Sequence, residues 1–244
     1  MDKKTVITGR KPVLEYLQSM QAGAGALLHV AENAHGKIID TIKKEASRKG
    51  VPVQKSPSRW FSAHAAGSTH QGVALEVQAV QQPHADEDSL LEAAAGSKGV
   101  IVVCDQLTDP HNVGAIIRSV EALGGSGVVL QKANAPGITG TVIKSAAGAT
   151  AHLPVVHVTN IARFLEDAKK KGLWVVGTAG DGETPLTGIH EYLPAVIVIG
   201  SEGEGMRRLV REKCDIITAI PLKGHVGSLN ASVAAGIVVY EVLR

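Results

Sequence analysis

The sequence has 244 residues, 44% of them apolar, which is enough for one large domain or two small ones with a sizeable core. Its two cysteines, Cys104 and Cys214, lie far apart, which excludes a disulfide scaffold and a cysteine-based zinc module and fits a reducing compartment. The chain lacks a signal-peptide pattern and any apolar stretch near the ~20 residues that span a bilayer, so we expect a cytoplasmic protein without membrane contact.

The formal net charge of +2 is unevenly distributed along the chain. Residues 1–80 carry 11 Lys and Arg against 6 Asp and Glu, whereas residues 100–244 carry 13 of each. A basic N-terminal part favours a polyanionic partner such as nucleic acid, with a solvated lysine face as the alternative. Between these parts, a proline, an acidic cluster and small residues predict a linker followed by a short helix. The predicted organisation is therefore a small domain at 1–80, a linker at 81–96 and a larger domain at 97–244.

The small domain is predicted to alternate short strands with helices. Ile38, Ile39, Ile42 and Ala46 lie at helical spacing, and Gly50 is a natural stop for that helix. Residues 73–80, VALEVQAV, alternate between apolar and other positions as a half-buried strand does. The complete prediction for this domain is strands at 26–30, 51–53 and 73–80, and helices at 37–49 and 58–66.

The larger domain contains continuous apolar runs, such as GVIVVC at 99–104 and AVIVIG at 195–200, separated by helical patterns. Buried strands that alternate with helices predict a parallel sheet covered on both faces, that is, an α/β fold. Ligands of such sheets bind beyond the carboxyl ends of the strands, so the loops there are the candidate sites. The predicted strands are 99–104, 127–130, 173–177, 195–200 and 216–222, and the predicted helices are 113–123, 161–171, 206–212 and 229–243.

One of these loops, GSEGEG at 200–205, has the glycine content of a phosphate-binding loop but contains two carboxylates. Glu202 and Glu204 repel phosphate, and the sequence contains neither of the usual glycine-rich phosphate motifs. A ligand with positive charge or many donors, such as a sulfonium ion or an adenine amine, suits this loop better. The ten histidines show no metal-ligand spacing, so no metal site is expected.

Each candidate residue also has a purely structural interpretation. Asn112 and Ser228 are favoured helix caps, and Gly200 suits a tight turn. Glu202 is equally compatible with a solvated loop carboxylate. Arg118 is less ordinary, because it follows three apolar residues near the start of a predicted helix, where arginine is rarely buried unpaired.

Three motifs taken together resemble the signatures of the SpoU (TrmH) family of the SPOUT class of methyltransferases. They are NVGAIIR at 112–118, VIGSEG at 198–203, and a third running from Ile220-Pro221 to SLNASVA at 228–234. They occur in order, at the ends of predicted strands, and the resemblance covers residues 97–244. The N-terminal third, with GRKPVLEYL and HQGVALEV, resembles the family's ribosomal-protein-like substrate-binding domain.

The resemblance implies a fold and an activity. The larger domain would be a SPOUT α/β domain with a C-terminal trefoil knot, forming a homodimer through that knotted domain. The chain is similar to bacterial enzymes that transfer a methyl group from S-adenosylmethionine to the ribose 2′-hydroxyl of a guanosine in 23S ribosomal RNA. Two alternatives stay open: a tRNA ribose 2′-O-methyltransferase of the same family, and a non-catalytic RNA-binding protein.

The resemblance also assigns site residues. Arg118 would act on the 2′-hydroxyl, and since a free guanidinium is a poor base, stabilising developing negative charge is the more defensible role. The implied catalytic set is Asn112, Arg118, Glu202, Ser228 and Asn230. The implied cofactor-binding set is Thr178, Ala179, Gly180, Gly200, Ile220, Leu222 and Leu229.

Overall fold

The structure, a computed structural model, describes residues 5–20, 22, 25–65, 69–77, 83 and 85–244. These residues form two sheets, each with its own helices and its own core. The predicted ends of a helix at residue 66 and of a strand at 78–80 lie outside the described residues, as does much of the first part of the predicted linker.

The N-terminal unit is built on a four-stranded mixed sheet in the order β1-β4-β2-β3. β4 pairs antiparallel with both β1 and β2, and β3 pairs parallel with β2. The elements are β1 (Thr5–Thr8), α1 (Arg10–Ser19), β2 (Ala26–Ala31), α2 (Lys37–Arg48), β3 (Val53–Ser56), α3 (Ser58–His64) and β4 (Val73–Val77).

Helix α2 confirms the spacing argument, because Ile39, Ile42 and Ala46 are all fully buried against the sheet. β1 and α1 are absent from the prediction. The signal for α1 is nevertheless present, since Val13 and Leu17 are buried at helical spacing. Its ten residues are too few for that spacing to stand out against the neighbouring loops.

The larger unit is built on a parallel seven-stranded sheet in the order β7-β6-β5-β10-β8-β11-β9. Its strands are β5 (Val100–Cys104), β6 (Gly127–Gln131), β7 (Val155–Val158), β8 (Trp174–Thr178), β9 (Thr184–Pro185), β10 (Ala195–Ile199) and β11 (Ile216–Ala219). Its helices are α4 (Glu87–Ser97), α5 (Pro110–Ala122), α6 (Gly140–Ala146), α7 (Ile161–Lys170), α8 (Arg208–Arg211) and α9 (Ala231–Leu243).

Both faces of this sheet are covered, as the continuous apolar strands predicted. Along β5, Val102 faces a core that contains residues of α5 and α9, and Val103 faces a second core that contains residues of α4 and α7. The mixed architecture with a parallel sheet is therefore the fold class expected from the sequence. β7, β9 and α6 were not predicted. β9 has only two residues, the apolar run of β7, VVHV, is interrupted by a histidine, and α6, GTVIKSA, mixes polar and apolar residues.

Helix α4 corrects the predicted linker. Asp86 caps this helix by accepting a hydrogen bond from the Ser89 backbone N–H at 2.8 Å. Leu90, Leu91 and Ala94 then pack into the core shared by β5 and α7. Most of the segment predicted as linker, residues 81–96, therefore belongs to the larger unit.

Helix α6 connects the two units. Val142 packs into the core of the larger sheet, whereas Ile143 packs into the core of the small one. Gly140 lies so close to the small sheet that a Cβ there would be 2.5 Å from the carbonyl oxygen of Val6. On its other side, α6 packs against α5, where a Cβ on Gly114 would meet the Val142 carbonyl oxygen at 2.7 Å. Helix α6 therefore lies between the small unit and α5.

Candidate active site

The carboxyl ends of four parallel strands bring the predicted loops together. The loops follow β5, β8, β10 and β11, which are neighbours in the sheet. Thr178 Oγ1 donates to the Val198 carbonyl at 2.9 Å, and the Ala179 N–H donates to the Thr218 carbonyl at 3.0 Å. These bonds fix the loop after β8 between its two neighbours.

The carboxylate of Glu202 is the centre of a polar cluster formed by Asn112, Glu202, Asn230 and the Ala231 N–H. Its Oε1 atom accepts hydrogen bonds from Asn230 Nδ2 at 2.6 Å, Asn112 Nδ2 at 3.1 Å and the Ala231 N–H at 3.1 Å. Asn230 Nδ2 also donates to Asn112 Oδ1 at 2.8 Å. One side chain from each of the three sequence motifs therefore meets at one point, although Asn112 and Asn230 are 118 positions apart.

Two helix N-termini hold this cluster in place. Asp109, not Asn112, caps α5, with its Oδ1 accepting from the His111 N–H at 2.9 Å. Asn230, not Ser228, caps α9, with its Oδ1 accepting from the N–H groups of Ser232 and Val233. The capping interpretations of Asn112 and Ser228 are therefore wrong, which frees Asn112 to bind Glu202. The Glu202 carboxylate lies at the positive ends of both helix dipoles, which stabilises its charge.

Glycines shape the loop that presents Glu202. Ser201 and Gly205 exchange two backbone hydrogen bonds of 3.0 Å, which closes a tight turn. A Cβ on Gly200 would lie 2.2 Å from the Gly205 carbonyl carbon, and Gly203 has a φ of 91°. The tight-turn interpretation of Gly200 is therefore correct, and the turn carries Glu202 and Glu204 at its exposed tip.

Arg118 and Ser228 do not join the cluster. Arg118 is exposed on α5, about 9 Å further along the axis than Asn112 and about 240° around it. In the described part of the chain, the Arg118 side chain makes no hydrogen bond or ion pair. Ser228 is exposed in the loop before α9 and makes no side-chain hydrogen bond to another described residue.

The predicted cofactor-binding residues line three adjacent loops. Thr178, Ala179 and Gly180 end β8 and start its loop, and Gly200 starts the loop after β10. Ile220, Leu222 and Leu229 belong to the segment 220–229. Across those ten residues, none of the described backbone N–H or carbonyl groups bonds to another backbone group. Leu222 is 41% exposed, so this segment offers both free backbone groups and apolar surface.

A buried ion pair beneath the turn was not predicted. Asp105 is fully buried, and its carboxylate accepts from the Arg207 backbone N–H at 2.8 Å and from Arg207 Nε at 2.8 Å. A buried carboxylate requires such a partner. The pairing joins residues 102 positions apart, and only the fold brings them together.

The cysteines at this end of the sheet are not nucleophiles. Burial raises the pKa of the Cys104 thiol to about 12, and burial is also the main cause that raises the pKa of Cys214 to about 12. Because the thiolate is the reactive form, both groups are inert at neutral pH. Within the described residues, no group of histidine, cysteine and acidic side chains has the arrangement of a metal site. None of the described helices has both the length and the apolar character of a membrane-spanning segment.

Comparison with known proteins agrees with this geometry. The model of the SpoU rRNA methylase family matches residues 99–240, and the model of the RNA 2′-O ribose methyltransferase substrate-binding domain matches residues 6–83. The chain therefore belongs to the SpoU rRNA methylase family, which confirms the resemblance drawn from the three motifs. It is an RNA methyltransferase, and the loops described above lie within the matched range.

Relatives and solved structures extend the match over the whole chain. A TrmH-family tRNA/rRNA methyltransferase of Bacillus subtilis, YacO, is 40% identical over 98% of this chain and 94% of its own length. A tRNA/rRNA methyltransferase of Mycobacterium avium is 37% identical over all of this chain and 78% of its own. The SpoU methyltransferase AviRb of Streptomyces viridochromogenes, solved with the cofactor AdoMet, superposes with a TM-score of 0.74 at 21% identity, covering 99% of this chain and 90% of that one.

Proposed function

We propose that the protein transfers a methyl group from S-adenosylmethionine to the ribose 2′-hydroxyl of a guanosine in 23S ribosomal RNA. The observation that carries this proposal is the Asn112–Glu202–Asn230 cluster, which gathers all three family motifs at the edge where parallel sheets bind ligands. The N-terminal unit supports an RNA substrate, because it matches a ribose-methyltransferase substrate-binding family and carries the excess positive charge.

The loops after β8, β10 and β11 fit S-adenosylmethionine. The cofactor has a sulfonium cation, an adenine with donors and acceptors, and apolar atoms between them. Among the described residues, the segment 220–229 offers backbone groups without a backbone partner and the exposed side chain of Leu222, while the adjacent turn has no cationic side chain before Arg207 that would repel the sulfonium. When bound, S-adenosylmethionine supplies a methyl group on a sulfur that leaves as a neutral thioether.

The residues of this chain then have to position and activate an alcohol. A ribose hydroxyl is almost wholly protonated at neutral pH, so the site has to align its oxygen and stabilise the negative charge that develops on it. Glu202 holds Asn112 and Asn230 through Oε1, while its Oε2 accepts no hydrogen bond in the described structure and is available to a substrate hydroxyl. Arg118 supplies positive charge to the developing alkoxide or to a neighbouring phosphate.

A second copy of the chain would bring Arg118 to the site. α5 and α9 border a groove of about 460 Å3. The apolar side chains of α9 at this groove are unusually open, with Val233 50%, Ile237 38% and Tyr240 58% exposed. Arg118 lies beside the groove residues of α5. Burial of this face in a twofold dimer would explain both the apolar surface and an arginine without a polar partner among the described residues of its own chain.

The remaining parts of the proposal concern the organisation of the chain. We place the substrate-binding domain within residues 1–80 and the methyltransferase domain from α4 onward, since α4 packs on the larger sheet. A trefoil knot formed by the C-terminal segment and a cytoplasmic location follow from the family resemblance and remain predictions.

Incubation of the protein with labelled S-adenosylmethionine and total bacterial RNA tests the proposal. We expect label in 23S ribosomal RNA, at one guanosine, with the methyl group resistant to alkaline cleavage as a 2′-O-methyl ribose. Label in tRNA would support the alternative substrate, which the names of the relatives include. Label on a base, or no label in any RNA, would contradict the proposed reaction.

A further inference from the structure

A second cavity opens beside the Glu202 cluster and has no role in the function proposed so far. It lies between the loops that follow β5, β6 and β10 and has a volume of about 250 Å3. That space is enough for one purine base but small for a whole nucleotide. Its polar lining includes Gln106, Thr108, Asn134, Glu204 and Arg207.

Three polar side chains that line this cavity have no hydrogen-bond partner among the described residues. Gln106, Asn134 and Glu204 are all exposed. Within the described structure, none of these three side chains bonds to another protein group. Glu202 lies two positions from Glu204 in the same turn. It differs from Glu204 because its Oε1 accepts three hydrogen bonds.

The walls of the cavity are nevertheless fixed. Arg207 is held on the floor by the fully buried Asp105, with its Nε 2.8 Å from Oδ1. The turn that carries Glu204 is closed by the paired backbone bonds of Ser201 and Gly205. Gln106 and Asn134 adopt left-handed backbone conformations, with φ of 59° and 66°. Such conformations are uncommon for glutamine, although asparagine adopts them more readily than most residues.

The position of the cavity relates it to the proposed reaction. The proposed cofactor loops follow β8, β10 and β11, and the cavity loops follow β6, β5 and β10. The loop after β10 therefore belongs to both, with Glu202 on the cluster and Glu204 on the cavity. A nucleotide whose ribose reaches Glu202 would have its base at or near this cavity.

The chemistry of the lining selects among bases. A carboxylate only accepts hydrogen bonds, and it can accept two side by side. On its Watson–Crick edge, guanine presents two adjacent donors, N1–H and the N2 amino group. Adenine alternates donor and acceptor there, and uracil presents one donor between two acceptors. The amides of Gln106 and Asn134 can donate to the guanine O6 and N7 acceptors.

We propose that this cavity binds the base of the target nucleotide and that Glu204 selects guanine by accepting hydrogen bonds from N1–H and N2–H. The proposal rests on the proposed function for the identity of the substrate as RNA. It assigns Glu204 a role in substrate specificity that is separate from the Glu202 cluster.

The first test compares guanosine with inosine, which lacks only the N2 amino group. Synthetic RNA carrying either nucleoside at the mapped target position is assayed in single turnovers with wild type, Glu204→Gln and Glu191→Gln. Glu191 is an exposed control whose side chain makes no hydrogen bond or ion pair with a described residue. Wild type and the control should prefer guanosine by about 10- to 100-fold, the usual effect of one hydrogen bond to a charged group. In Glu204→Gln, the rate on guanosine should fall by about 10- to 100-fold and the preference should approach one.

A second test does not depend on methyl transfer. Guanosine 5′-monophosphate at millimolar concentration should shift the side-chain amide NMR signals of Gln106 and Asn134 in the wild type. The shifts should be much smaller with inosine 5′-monophosphate or with Glu204→Gln, while S-adenosylmethionine affinity stays unchanged.

The outcomes of the two tests separate the two proposals. An unchanged guanosine preference in Glu204→Gln, or equal shifts with both nucleotides, would overturn the assignment of the cavity. The same assignment would fail if Glu204→Gln lost S-adenosylmethionine affinity, since the residue would then serve the cofactor. If the guanosine nucleotide gave the expected shifts but the wild type methylated no RNA, the base site would stand and the proposed reaction would fail.

Discussion

Helix α5 carries two candidate functional side chains, and they differ in how firmly hydrogen bonds within the chain hold them. Asn112, in the first turn, is tied to Glu202 and Asn230 by hydrogen bonds of 2.8 to 3.1 Å. Arg118, in the third turn, is exposed and makes no polar contact with any described residue of its own chain. The cluster is assembled within one chain, whereas the described residues give Arg118 no polar partner. We therefore propose that Arg118, unlike the cluster, acts only when RNA and a second copy are present.

Removal of Arg118 should have the largest effect on catalysis and the smallest on the free protein. Arg118→Ala is expected to lower kcat by about 100- to 1000-fold, as loss of a charge-stabilising group at a reacting centre does. Thermal stability and S-adenosylmethionine affinity should match those of the wild type. Arg118→Lys should also be badly impaired if the planar guanidinium binds a phosphate bidentately.

Single-turnover assays with saturating RNA and cofactor measure this effect. Arg163→Ala removes an exposed arginine that pairs with Asp167 one turn away; it is the matched control and should be fully active. Full activity of Arg118→Ala would remove the arginine from the mechanism.

A charge placed in the α5–α9 groove should reduce activity almost as strongly. Ile237→Asp puts a carboxylate into the face that we propose is buried between two copies, where an unpaired charge is strongly unfavourable. Sedimentation of Ile237→Asp should show a monomer, and its rate of methyl transfer should fall in proportion to the loss of dimer. Leu209→Asp, an equally apolar and 60% exposed position away from the groove, should remain dimeric and active. An active monomer of Ile237→Asp would contradict the need for a second copy.

Loss of the Glu202 charge should affect both catalysis and stability, unlike loss of Arg118. Glu202→Gln replaces an acceptor of three hydrogen bonds and removes a negative charge from two helix N-termini. We expect about 10- to 100-fold slower transfer and a destabilisation of about 1 to 2 kcal/mol, measured by urea denaturation. Glu191→Gln should change neither quantity. A Glu202→Gln variant of wild-type stability and activity would show that the cluster is not needed.

The smallest expected effect distinguishes capping from catalysis. Asn230→Ala and Asn160→Ala each remove an asparagine that caps a helix, α9 and α7 respectively. Both should cost about 1 kcal/mol of stability. Only Asn230→Ala should also slow methyl transfer, because Asn230, unlike Asn160, binds Glu202. Equal activity of the two variants would reduce Asn230 to a helix cap.

The strands and helices with a clear apolar pattern were predicted from the sequence, and most of those without one were missed. Five of the seven strands of the large sheet appear as apolar runs, whereas a histidine interrupts β7 and β9 has only two residues. The start of α5 was placed three residues late. Asp109 followed by Pro110 is a good signal for a cap and a first helical residue, and it could have corrected this boundary.

The candidate site was predictable only in part. Family motifs pointed to Asn112, Glu202 and Asn230, but no spacing rule shows that one carboxylate oxygen of Glu202 accepts hydrogen bonds from both asparagines. The Asp105–Arg207 pair and the Glu204 cavity depend on strands brought together by the fold, over separations of about a hundred residues. Arg118 illustrates the opposite case, because the motif names it while the described residues of the single chain give its side chain no hydrogen bond or ion pair.

Mixing two inactive variants tests most directly whether the site is completed by a second copy. Arg118→Ala and Glu202→Gln chains are unfolded or dissociated together, reassociated in equal amounts and assayed for methyl transfer. If Arg118 acts on the Glu202 cluster of the opposite copy, mixed dimers contain one intact site, and random pairing should restore about a quarter of wild-type activity. Activity no higher than that of either variant alone would contradict a shared site and would return Arg118 to its own chain.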